Sequence, residues 1–113
     1  MIDHYTLLRM RFIAGLERRL AAIEETLQQL DRGADMIEEA RRHFHTLVGL
    51  GGTYGYPEIT TAARAGEDIC LAMRDGGSAD REALRDAMDE IKMQWLFASA
   101  ADQAAIGGLD VHC

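Results

Sequence analysis

Six apolar side chains, Ile13, Leu16, Leu20, Ile23, Leu27 and Leu30, recur at alternating intervals of three and four residues. Side chains spaced in this way fall on one side of an α-helix, whereas a half-buried strand needs alternation every second residue. The segment is therefore an amphipathic helix. The same spacing returns through Ile37, Ala40, Phe44 and Leu47, through Ile59, Ala62, Ala63, Gly66, Ile69, Cys70 and Met73, and through Leu84, Ala87, Met88, Ile91, Trp95 and Ala98. No segment alternates convincingly. Four apolar stripes on a chain of 113 residues predict an all-α fold, an antiparallel up-down four-helix bundle in one domain. A coiled-coil dimer is the competing arrangement, but so few heptads more often serve a bundle within one chain, and a monomer is expected. Trp95 is expected to be the largest single contributor to the core.

The residues between the stripes are punctuation. Asp3 is placed to cap the first helix, and Gly15 offers a break between a short leading helix near residues 4 to 13 and a long one. Asp31 to Ala34 read as a tight link with Gly33 in the left-handed position past a helix end, and Asp35 with Glu38 resembles a capping box. So short a link forces the flanking helices to run antiparallel. Pro57 suits the first position of a third helix. Asp75, Gly76, Gly77 and Ser78 stop that helix and cap the fourth. The bundle is expected over residues 1–98. Residues 99–113 read as a frayed helix extension, a linker to a following domain or a cut end, and the sequence leaves these three open.

One stretch is not explained by the bundle alone: His45 to Gly55, H-T-L-V-G-L-G-G-T-Y-G. On a helix His45 lies one residue, roughly 100°, from the stripe of Phe44 and Leu47, and shares a flank with Arg41, Val48, Gly49 and Gly52. Each interior glycine costs a helix about 1 kcal/mol relative to alanine, so Gly49, Gly51 and Gly52 near one helix end require a reason. Bare helix beside an imidazole lets another protein's backbone or a phosphoryl group come close. The plainer reading makes His45 a boundary residue and the glycines a helix stop.

Counting from His45, a leucine follows at plus two (Leu47), glycines at plus four and plus ten (Gly49, Gly55) and a glutamate at plus twenty-two (Glu67). This resembles the histidine-containing phosphotransfer (HPt) family, whose signature reads H-x-L-K-G with a further glycine six positions on. The family lysine at plus three is Val48 here. The resemblance implies that His45 is a phosphoacceptor exchanging phosphate with an aspartate on a response-regulator receiver domain, and that a sensor histidine kinase is a further partner. It also implies that Glu67 orients the imidazole. The magnesium ion is expected on the receiver, with no cofactor on this chain and no independent catalytic turnover. Arg41, Arg42 and Arg64 are candidate substitutes for the absent lysine, Arg41 and Arg64 being the two singled out, and Val48, Gly49 and Gly52 are candidate partner-binding positions. Val48 is otherwise read as part of an apolar docking patch with Leu50 and Tyr54.

The chemistry suits the residue type. An imidazole is largely neutral near pH 7, so one ring nitrogen can attack while the other donates to an acceptor that supports the charge developing on the ring. The rival functions are weaker. His43 and His45, two apart on a helix, point about 200° from each other and cannot share one ion as helical neighbours; His4, His112, Cys70 and Cys113 show no ligand spacing. No serine or cysteine stands in a hydrolase pattern with His45. The substantial alternative is an HPt-like interaction module that binds a receiver or kinase without carrying phosphate, for which Val48 is the motive. A phosphoacceptor domain of a chemotaxis-type kinase is a further variant. A net charge of -7 argues against nucleic acid as a partner. Two cysteines, no recognisable signal peptide and no apolar run of membrane-spanning length lead to the expectation of a cytoplasmic protein without a membrane partner.

Overall fold

The computed structural model describes residues 3–78 and 80–110. Four helices form, α1 (His4–Leu27), α2 (Ala34–Tyr54), α3 (Pro57–Arg74) and α4 (Arg81–Asp110), with a single 3-10 turn at Leu30–Arg32 and no strand among the described residues. Each helix packs on the next in sequence and α4 closes back on α1, which is the up-down bundle that the four stripes require. The result is a rod of 57 × 21 × 18 Å.

The predicted stripes form the core. Ile13, Leu16, Leu20 and Ile23 of α1 meet Ala40, Phe44 and Leu47 of α2, Ile59, Ala63 and Cys70 of α3, and Leu84, Met88 and Ile91 of α4, all buried. Phe44, rather than Trp95, is the largest fully buried side chain. Trp95 is half-buried, and its indole N–H donates to the Ile13 carbonyl at 2.9 Å. Two glycines set how closely α2 and α3 approach. A Cβ on Gly66 would lie 2.6 Å from the Phe44 ring, and one on Gly51 would lie 2.4 Å from the Thr60 hydroxyl. Thr60 uses that hydroxyl to donate to the Val48 carbonyl across the same seam, at 3.0 Å.

Several boundaries differ from the sequence expectations. α1 runs through Gly15 without a break, because continuous packing of Phe12, Ile13 and Leu16 outweighs the weak propensity of one exposed glycine. Asp3 does cap it, accepting from the Thr6 N–H at 2.7 Å, a bond that holds the Asp3 carboxyl below its usual range. Gly33 has φ 131° and ψ -175°, a positive-φ conformation that favours glycine but lies outside the left-handed helical well, and it ends the 3-10 turn and starts α2. The Asp35–Glu38 capping box is absent: Glu38 turns to the Arg41 guanidinium, where charge-assisted hydrogen bonds outweigh a single backbone N–H. The side-chain cap seen at the start of α4 is Asp80, which accepts from the Ala83 N–H at 3.0 Å, rather than Ser78. α4 continues beyond Ala98 as regular helix to Asp110. His112 and Cys113 lie outside the described residues.

Candidate functional site

His45 projects from the middle of α2 with 68% of its side chain exposed. Its neighbour Phe44 is fully buried, so the anchored aromatic fixes the helix rotation that points His45 outward. Across the seam, Glu67 of α3 is only 13% exposed, and its Oε2 lies 2.9 Å from His45 Nδ1. A carboxylate offers only acceptors, so the ring nitrogen facing it carries the proton. Nε2 then holds the free lone pair and has no partner among the described residues.

The same Glu67 oxygen receives a second donor, Arg41 Nη1, at 3.1 Å. Arg41 stands one turn before His45 on α2, and its remaining contacts go to Glu38: Nε at 3.0 Å from both oxygens and Nη2 at 2.7 Å from Oε1. The hydrogen bonds that Arg41 donates to Glu38 are the main cause both of holding the Glu38 carboxyl below its usual range and of raising the already high arginine value. Arg74 of α3 approaches Glu38 at 3.5 Å, and Arg42 at 3.8 Å. A line of alternating charge therefore runs from the outer end of α3 to the imidazole: Arg74, Glu38, Arg41, Glu67, His45.

Of the arginines expected to replace the missing lysine, Arg41 is occupied by carboxylates. Arg64, one turn from Glu67 on α3, is exposed and has no carboxylate partner among the described residues. Gly49 and Gly52 are exposed, and a Cβ at either would meet nothing within 4 Å, so the flank beyond His45 is open. Gly55 has a different task. With φ 77° and ψ 36° it takes the left-handed position that ends α2, its N–H donating to the Gly51 carbonyl. Val48 is half-buried, and the patch proposed with Leu50 and Tyr54 does not form one surface. Leu50 is two residues from Val48, on the opposite side of the helix, and Tyr54 stacks on Phe12 of α1 at 5.3 Å. Among the described residues no three histidine, cysteine or acidic side chains gather as metal ligands, and no helix is long and apolar enough to cross a membrane.

Comparison with protein families matches residues 8–103 to the family described as Hpt domain. The chain belongs to that family. The match spans all four helices, from the first half of α1 to well into α4, and the Hpt domain family is one of histidine phosphotransfer in phosphorelays, working with kinase and receiver partners. No curated protein and no solved structure matches this Hpt domain. Two residues of the charged line escaped sequence reasoning. Glu38 was legible as the partner of Arg41 three residues on, but the capping-box pattern claimed it first. Arg74 had no signal, since only the packing of α3 on α2 brings it to Glu38.

Proposed function

We propose that His45 is the phosphoacceptor of this Hpt domain, exchanging a phosphoryl group with the aspartate of a response-regulator receiver domain. The observation that carries this reading is the pairing of His45 Nδ1 with Glu67 at 2.9 Å on an otherwise exposed ring, which leaves Nε2 as the nucleophile. In transfer from the receiver, the Nε2 lone pair forms the N–P bond as the bond from phosphorus to the aspartyl oxygen breaks, and that electron pair leaves with the receiver carboxylate. The ring keeps its Nδ1 proton throughout. The positive charge it gains is matched by the Glu67 carboxylate, which accepts from that N–H.

Magnesium belongs to the receiver, and such transfer is mainly positioning and charge neutralisation, so few groups are asked of the carrier. Arg64 is the cation on this side offered to the phosphoryl oxygens in place of the lysine that Val48 replaces. Gly49 and Gly52 let the receiver backbone come close. A sensor histidine kinase is the more distant partner, the domain acts as a monomer in the cytoplasm, and it carries phosphate without turnover of its own.

The test is to incubate the domain with a phosphorylated receiver carrying radiolabelled phosphate. Acid-labile, base-stable label is expected on the wild type and none on His45→Gln, while label that survives the substitution would defeat the assignment. Val48 motivates one further reading, a module that binds a receiver without accepting phosphate. That reading predicts a complex with the receiver and no label on either protein form.

A further inference from the structure

We propose that Arg41 is a positioning residue for His45, acting through Glu67 to hold the imidazole in its Nδ1–H form. The inference rests on the reading of His45 as phosphoacceptor and deepens it: an arginine first sought as a phosphate ligand works from behind the ring instead.

The geometry divides the labour. Glu67 has three rotatable bonds and a single hydrogen bond to the imidazole, which by itself leaves the carboxylate free to swing. Arg41 Nη1 at 3.1 Å binds the very oxygen that His45 Nδ1 meets at 2.9 Å, so that oxygen is fixed from two directions. Arg41 is fixed in turn, because Nε and Nη2 hold Glu38 as a fork and Arg74 braces Glu38 from α3. Arg41 is also the cation between two carboxylates. Without it, Glu38 would keep Arg74 and Arg42 beside it, whereas Glu67 would keep only its bond to His45. Metal-binding histidines show the same logic, where the group behind the ligand sets the tautomer and the ring angle.

The test compares Arg41→Gln, Arg41→Lys and Arg42→Gln with the wild type. Arg42 is an exposed neighbour that approaches Glu38 at 3.8 Å without touching Glu67, so its loss removes the same charge from the same helix while leaving the Arg41–Glu67 bond in place. Nitrogen-15 spectra of the unphosphorylated imidazole read the tautomer whether or not the protein accepts phosphate, and labelled transfer from a phosphorylated receiver reads the rate. Circular dichroism confirms that each variant is folded. The wild type is expected in the Nδ1–H form. Arg41→Gln should shift the ring towards the Nε2–H form and slow transfer about 10-fold, Arg41→Lys should recover part of both, and Arg42→Gln should keep the wild-type tautomer. An unchanged tautomer in Arg41→Gln, an unchanged rate in that variant, or an equal tautomer shift in Arg42→Gln would each overturn the proposal. Failure of His45→Gln to abolish label would instead defeat the phosphoacceptor reading and leave the tautomer result standing.

Discussion

Cys70 shows how one residue feels both the core and the site. It lies one turn beyond Glu67 on α3 and is fully buried, so its thiol is pushed up to about 11, first by burial and then by the Glu67 charge. A thiol whose value is higher folded than unfolded contributes stability that is complete below the unfolded value and is lost as pH rises towards the folded one. Unfolding should therefore become easier between about pH 9 and 11 by on the order of 2 kcal/mol. Cys70→Ala should remove this part of the pH dependence, measured as denaturant midpoints at pH 8 and 10.5 for both proteins, and an identical decline in the two would exclude the thiol as its source. That Cys70 is buried was legible in its place on the α3 stripe. That it shares its surroundings with Arg41 was not, because Arg41 reaches α3 from another helix.

Within α2, glycines of one composition have opposite tasks. Gly51 and Gly66 of α3 are sites of close approach, and a methyl group at Gly66 would meet the Phe44 ring at 2.6 Å. Phe44 is enclosed, so Gly66→Ala should destabilise by about 1–3 kcal/mol through overpacking. Gly49 and Gly52 face open space. Alanine there should stabilise the helix by up to about 1 kcal/mol each. The double variant Gly49→Ala, Gly52→Ala is thus expected to melt at a higher temperature and yet transfer phosphate more slowly, because two methyl groups stand where the receiver must approach. Higher stability with an unchanged rate would mean that these glycines do not serve docking. The sequence placed the glycine-rich run correctly at the end of α2, but glycine carries no mark of what it faces. Only the position of α3 separated packing glycines from bare ones.

At the scale of the whole molecule, α4 shows how a bundle selects among stripes. Leu84, Met88 and Ile91 are buried, while Met93, Leu96 and Phe97, also at helical spacing, are 51%, 58% and 64% exposed. Ile91→Ala should cost about 2–5 kcal/mol, whereas Leu96→Ser and Phe97→Ser should change stability by no more than about 0.5 kcal/mol. Chemical denaturation of the three variants checks this, and a large loss from Phe97→Ser would show that the outer stripe is covered. The sequence by itself determined the four apolar stripes, the face each turns inward, the up-down order and the spacing of His45 to Glu67, because apolar periodicity and short links act within a segment or between adjacent ones. Tertiary structure decided that Trp95 stays at the rim, that Gly15 is helical, and that Arg41 serves Glu67 rather than open solvent. Each of these turns on a partner supplied by a different helix, the Ile13 carbonyl for Trp95, the shared core for α1 and the Glu67 carboxylate for Arg41, and no local pattern encodes where such partners come together.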